Sequence, residues 1–392
     1  MLLLHNRYQQ PGGEDQVFAA EGALLEAHGY RVLRYTLHND QINGMSRPAL
    51  ARATIWNDKV YEELRVLFRE ERPQVAHFHN TFPLISPAAY YAARAEGVPV
   101  VQTLHNYRLL CPNALFMREG RVCEDCLGKA FPWPGVAHAC YKGSTSSSAG
   151  VAAMLAFHGA KGTWKEAVGV YVALTEFARQ KFIQGGLPAE KIVVKPNFVH
   201  PDPGMGDGRG DYVLFVGRLS QEKGVGTLLA AWDVLKEKAP LKIVGDGPLA
   251  SEVEKAAERS GGAIEWLGRQ PRERVLALMK DARALLFPSM WYEGFPMVIG
   301  EAYAVGLPVI ASDLGSMSSL IRHGHTGLLF TPGDPQDLAV QVERVFACPS
   351  ELERMRGEAR TEFEAKYTAK RNQRLLMEIY RNAIERMEVQ KV

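Results

Sequence analysis

Short apolar runs alternate along this chain with amphipathic stretches of helical period, and that rhythm admits few folds. Runs such as VPVVQTL (98–104) are mostly apolar at successive positions, as in strands buried on both faces. Strands of that kind separated by helices imply an α/β architecture on parallel sheets. In the first half the pattern predicts strands over 2–5, 31–35, 75–79, 98–104 and 168–174, with helices over 14–27, 56–69 and 87–95. The second half repeats the rhythm with strands over 212–216, 241–244, 264–267, 284–287, 308–311 and 327–330. Its helices are predicted over 226–236, 250–258, 272–280, 298–304 and 335–347, and two polar amphipathic helices, 350–366 and 368–387, close the chain.

Residues 197–211 (NFVHPDPGMGDGRGD) hold two Pro, four Gly and three Asp without periodicity, which is linker composition. The expected organisation is two Rossmann-like doubly wound domains, 1–197 and 212–367, joined by 198–211. The helical segment 368–392 is a candidate to pack back on the first domain. Ligands of doubly wound sheets bind beyond the carboxyl ends of the strands, so a ligand is expected where the domains face across a cleft.

Composition narrows the function. Of 392 residues 46% are hydrophobic, and 46 basic against 44 acidic side chains leave a net charge of +2. That balance excludes dominant disorder and a nucleic-acid binder with a basic excess. No apolar run reaches the ~18–20 residues of a membrane span. The start MLLLHNRYQQPGGED reads as a first strand rather than a secretory signal, and five cysteines then suggest a reducing, cytoplasmic setting.

Two clusters carry candidate chemistry. In GRLSQEKG (217–224), Arg218 and Lys223 lie between a strand and a glycine-started helix, a place suited to a diphosphate; ordinary solvated charges are the bland alternative. In EGFPMVIGE (293–301), Glu293 belongs to a loop and Glu301 lies about two turns into the following helix, with the amides of Gly294, Phe295, Pro296, Met297 and Val298 forming the helix start, Pro296 itself lacking an N–H. A helix-dipole role would explain Glu293 but not Glu301.

GRLSQEKG, IVGDGPL and SMWYEGFPMVIGEAYAVGLPVIASDLGS, in that order, resemble the retaining GT-B glycosyltransferases of glycosyltransferase family 4 across essentially the whole second half. The resemblance implies that Arg218 and Lys223 clamp the diphosphate of a nucleotide-sugar donor, that Glu293 holds the donor sugar, and that Glu301 binds ribose. It implies that main-chain groups near Gly268 and Arg269 meet the base, and that the 294–298 segment lines sugar and phosphates. It also implies front-face attack by a hydroxyl acceptor, the departing phosphate helping to take its proton.

Gly12 and Gly13, in PGGE after the first strand, match the family's glycine loop that approaches the donor phosphates, although an ordinary turn would look the same. His105 ends a strand where the family places a His beside the donor sugar; Asn106 stands where an Asp often follows, which removes any role resting on that charge. His77 and His79 share one strand face and read as a packed or surface pair with the acceptor pocket as alternative. No Asp-x-Asp motif stands near the donor loop, so no catalytic divalent metal and no organic cofactor is required on this reading.

Cys111, Cys123, Cys126 and Cys140 give C-x11-C-x2-C-x13-C inside a long insertion, 107–146. A structural zinc site of four thiolates would hold such a segment; disulfides, free thiols and a redox pair are the alternatives. Residues 1–200 carry 21 basic and 17 acidic side chains, the remainder 25 and 27. With Lys161, Trp164 and Lys165 in AGVAAMLAFHGAKGTWKEAV, that mild asymmetry allows weak peripheral contact with the inner face of a membrane, although a plain helix pair fits as well. The expected activity is retaining transfer from a nucleotide diphosphate sugar to a sugar, lipid-linked or small-molecule hydroxyl acceptor, in polysaccharide or glycolipid assembly. The rivals are an epimerase or hydrolase of the same fold, and a non-catalytic binding partner.

Overall fold

The computed structural model describes residues 1–9 and 12–389. The chain divides into two compact units. The first comprises Met1–Phe116, Cys123–Pro196 and the closing helix from Asn372; the second comprises Met117–Val122 and Asn197–Arg371.

The strands, in chain order, are β1 (Leu2–Arg7), β2 (Leu33–His38), β3 (Ala76–Asn80), β4 (Val100–Leu104), a short hairpin β5 (Met117–Arg118) and β6 (Arg121–Val122), then β7 (Val170–Ala173), β8 (Ile192–Val194), β9 (Val213–Val216), β10 (Leu241–Val244), β11 (Ile264–Trp266), β12 (Leu285–Phe287), β13 (Val309–Ser312) and β14 (Gly327–Phe330). The first unit holds a parallel sheet in the order β2-β1-β3-β4-β7-β8. The second holds a parallel sheet in the order β11-β10-β9-β12-β13-β14. Both are doubly wound orders, with the winding direction reversing between β1 and β3 in one and between β9 and β12 in the other. Continuous apolar runs form these strands because helices cover both faces: Leu2, Leu3 and Leu4, and likewise Val213 and Leu214, are fully buried.

In the first unit Leu3, Phe18, Val101, Val170 and Val172 pack with Leu376, Ile379, Tyr380 and Ala383 of the closing helix Ala369–Val389. The residues between 197 and 211 have no regular structure but are anchored along the second unit. Gly206, Gly208 and Gly210 donate their amides to the carbonyls of Val305, Lys280 and Asp281, and Arg360 pairs with Asp202 at 2.7 Å. A Cβ on Gly206 would lie 2.4 Å from the Lys280 backbone, which is why glycine serves there.

Some elements differ from the sequence reading. The predicted strand over 98–104 begins at Val100, after Pro99, which has no amide to donate but whose carbonyl accepts from Ala76. The predicted strand over 31–35 runs instead from Leu33 to His38. The helices Arg47–Ile55 and Glu176–Gln184 and the edge strand β8 were not predicted. Each is short, yet Ser46 and Thr175 cap the two helices by accepting from Ala49 and Ala178 amides, and such caps are readable signals.

Candidate active site

The reversal between β9 and β12 leaves the loops beyond their carboxyl ends side by side in the second unit. Ser289 Oγ and the Met290 amide, in the loop after β12, donate to the Glu222 carbonyl in the loop after β9. Gly224 makes this approach possible: its φ is +73°, and a Cβ would fall 1.8 Å from the Pro288 carbonyl oxygen. Gly245 does the same for the β9 and β10 loops, where a Cβ would fall 1.8 Å from the Gly217 oxygen.

Lys223 is thereby set against Glu293, Nζ to Oε1 at 2.6 Å. The same Oε1 accepts from Ser289 Oγ and Trp291 Nε1, both at 2.7 Å, and the Glu293 carbonyl accepts from Ser316 Oγ. Glu293 is 6% exposed. The Lys223 ammonium also lies 5.3 Å from the Trp291 ring centroid. Arg218, five residues earlier, is exposed to solvent. The structure therefore brings Lys223 and Glu293 together and leaves Arg218 at the rim of the same loop.

The helix Met297–Ala304 starts after Pro296 with no side-chain cap, so its first amides are not satisfied by a capping group. Phe295 is buried against Tyr367, and its carbonyl accepts from Asn197. Glu301 is engaged by Arg272 at 3.0 Å. The Gly268 carbonyl accepts from the Gly245 amide at 2.8 Å, and Arg269 faces Asp246 at 3.4 Å on the surface.

In the first unit Gly12 precedes the helix Gly13–Ala27 and donates its amide to Asp15 Oδ2 at 2.8 Å; Pro11 lies outside the described residues. His105 follows β4, with Nε2 3.0 Å from His79 Nδ1. It lines a small cavity with His79, Asn80, Thr81, Asn106 and Arg108. Burial first, then neighbouring His5, Lys195 and His77, hold its imidazole well below the usual range. His77 and His79 are both buried, with ring centroids 4.4 Å apart: a packed pair whose second member reaches the cavity.

Three polar residues were not singled out from sequence. Glu14 receives hydrogen bonds from Asn80 Nδ2 at 3.3 Å and Asn106 Nδ2 at 3.5 Å, and burial, reinforced by Asp15, pushes its carboxyl up to about 8. Glu21, two turns along the same helix, is fully buried and paired with the fully buried Lys195 at 2.5 Å. The signal for Glu14 was its place after two glycines at the end of β1. Glu21 and Lys195 gave none, because their meeting spans 174 positions.

Ligand atoms of Glu21, His77 and His79 lie within 4.8 Å of one another. Lys195 already supplies the cation, and both His77 nitrogens are engaged, by Tyr380 OH at 2.9 Å and Thr103 Oγ1 at 2.8 Å. This is a polar core network rather than a metal centre. Of the four insertion cysteines, Cys111 and Cys126 are buried and Cys123 and Cys140 are half-buried. Burial, then Cys111, pushes the Cys126 thiol up to about 11, with Cys140 and Cys123 adding to it. Among the described residues no three cysteine sulfurs come within the 4.8 Å spacing. The helix Thr145–Ala160 turns Val151, Met154 and Leu155 inward and leaves Phe157 exposed, while Lys161 lies over the Tyr91 and Trp56 rings. No helix among the described residues is long and apolar enough to cross a membrane.

A model of the Glycosyl transferase 4-like domain matches residues 8–197, and one of Glycosyl transferases group 1 matches 206–362. The amylovoran biosynthesis glycosyltransferase AmsK of Erwinia amylovora is 32% identical over 43% of this chain and 45% of its own. A glycogen synthase of Mycobacterium tuberculosis is 34% identical over 38% of this chain and 37% of its own. The chain spans about half the length of the curated relatives it matches. In fold it is similar to HepE of Anabaena, solved with UDP (TM-score 0.69, 18% identity, 96% of this chain and 99% of that one). The sucrose-phosphate synthase of Thermosynechococcus elongatus is similar at TM-score 0.71 (16% identity, 97% and 98%). With a 4-like first half, a group 1 second half and a doubly wound parallel sheet in each, the chain belongs to the GT-B glycosyltransferases.

Proposed function

We propose that the protein transfers a glycosyl group, with retention of anomeric configuration, from a nucleotide diphosphate sugar to a hydroxyl acceptor in polysaccharide or glycolipid assembly. The observation that carries this reading is the apposition of Lys223 and Glu293 at the sheet reversal, with Arg218 on the same loop. A diphosphate leaving group gathers charge as the glycosidic bond breaks, and fixed cations stabilise it most where solvent is scarce. Lys223 and Arg218 supply those cations, and the uncapped start of Met297–Ala304 adds amide donors. Glu293 holds Lys223 in place and offers its carboxylate to sugar hydroxyls; Glu301 binds ribose in exchange for Arg272. The backbone at Gly268 and Arg269 meets the base; within the first unit, Gly12 and Gly13 offer their backbone to phosphate and His105 offers its side chain to a sugar. UDP-sugars are the first donors to try, since HepE was solved with UDP-glucose.

The test is turnover of UDP-, GDP- and ADP-sugars with and without acceptor. Acceptor-dependent release of nucleotide that falls at least 100-fold in Arg218→Ala/Lys223→Ala supports the reading. An epimerised or hydrolysed sugar nucleotide at full rate without acceptor assigns the protein to the rival class.

Two further expectations belong here. Cys111, Cys140 and Cys123 all act on the Cys126 thiol, which favours a structural zinc at Cys111, Cys123, Cys126 and Cys140; the site requires the sulfurs to draw together. About one equivalent of zinc in purified protein supports it, and full thiol reactivity without zinc contradicts it. The exposed Phe157 beside Lys161 and Lys165 supports weak contact with anionic lipid at a cytoplasmic membrane face, which vesicle co-sedimentation tests.

A further inference from the structure

A buried chain of polar groups runs inward from the cavity in the first unit. His105 Nε2 lies 3.0 Å from His79 Nδ1, His79 Nε2 lies 3.5 Å from Glu21 Oε2, and Glu21 Oε1 is paired with Lys195 at 2.5 Å. His79 Nε2 and Glu21 Oε2 are buried 3.5 Å apart and neither makes a hydrogen bond among the described residues, while His77 Nδ1 stands farther from the same oxygen, at 4.0 Å. An unpaired buried acceptor opposite an unpaired buried ring nitrogen is costly unless that nitrogen carries the proton.

The tautomers then follow by elimination. Both imidazoles are neutral: burial, together with His77, His105, His5 and Lys195 around His79, holds them well below the usual range. Each neutral ring carries one proton. With Glu21 fixing the His79 proton on Nε2, His79 Nδ1 has only a lone pair. The hydrogen bond across 3.0 Å must then come from His105 Nε2–H, which leaves His105 Nδ1 as a bare lone pair.

We propose that Glu21, acting through His79, fixes the tautomer of His105 so that its Nδ1 accepts a hydrogen bond from a substrate hydroxyl. Glu21 and His79 are positioning residues; the group that touches substrate is His105, and the proposal rests on the role given to it above. Lys195 pairs with Glu21 where both are fully buried, and Tyr380 and Thr103 hold His77 so that it does not compete for Glu21. A hydroxyl donor is the ligand class this tautomer selects. A carbonyl or phosphate oxygen would meet a lone pair and be repelled.

The experiment is 15N NMR of histidine-labelled protein with steady-state kinetics. The expected spectrum shows His105 with protonated Nε2 and unprotonated Nδ1. In Glu21→Leu/Lys195→Met, which removes both buried charges together, His105 becomes a mixture of tautomers. There kcat falls about 10- to 100-fold with KM for the donor nearly unchanged. A His105 protonated on Nδ1 in the native protein overturns the proposal on its own ground. Full turnover in His105→Ala overturns it through the role it rests on. An unaltered tautomer in the folded double variant shows that Glu21 does not set it.

Discussion

Glu293 takes three hydrogen bonds on a single carboxylate oxygen, one of them from the only donor in the set that is charged. Removing that donor leaves the oxygen of a 6%-exposed carboxylate to the neutral donors Ser289 and Trp291. Lys223→Ala should therefore cost about 2 kcal/mol of stability, less than a fully enclosed pair because Lys223 is partly exposed, besides its effect on turnover. Urea unfolding at neutral pH measures it; an unchanged midpoint would mean that the pair contributes little. Glu14 makes a pH-dependent prediction. Its carboxyl is raised from 4.5 to about 8, so the folded state holds the proton more tightly than the unfolded chain. Its contribution is fully present below 4.5 and is lost as pH rises through 8. Glu14→Gln should erase this, so the variant gains stability relative to the native protein across that window, as thermal unfolding at a series of pH values would show. A constant difference would contradict the raised Glu14 carboxyl.

Elements of the second unit were more legible than those of the first, for physical reasons. In most of its βα repeats a short apolar run such as VLFV or VIAS ends at a loop that carries glycine, and a helix follows, so period and punctuation agree. The first unit interrupts that grammar. Helix Arg47–Ile55 has a weak apolar stripe, and β8 is a three-residue edge strand. The insertion contributes to this unit the five-residue helix Trp133–Ala137, too short to show a period. For the candidate site, Arg218, Lys223 and Glu293 were visible because loop position and residue type coincide. The Glu21–Lys195 pair was invisible because neither residue belongs to a local pattern. Glycines test the loop account at this scale. Gly245→Ala meets a carbonyl at 1.8 Å with φ at +141° and should cost about 2–4 kcal/mol. Gly226→Ala, within the helix Val225–Leu235 and with nothing in reach, should gain up to about 1 kcal/mol. Equal midpoints for the two variants would contradict the close approach of the β9 and β10 loops.

Each unit carries its own core, and the chain's last helix belongs to the first one. Ending the chain before Asn372 removes Leu376, Ile379, Tyr380 and Ala383, buried groups whose large members contribute ~1.5–3 kcal/mol apiece. The loss approaches the whole stability of a domain, so hydrogen exchange should show protection lost from β1, β4 and β7 and retained in β9 and β12. Near-neutral overall charge fits a protein whose chemistry rests on a few placed ions rather than on a broad field. The measurement that bears most directly on the proposed activity is the anomeric configuration of product formed from a nucleotide diphosphate sugar and a hydroxyl acceptor, followed in native protein and in Arg218→Ala/Lys223→Ala. The account predicts acceptor-dependent product of retained configuration, reduced at least 100-fold in the folded double variant. Inverted product, or undiminished turnover in that variant, would contradict it.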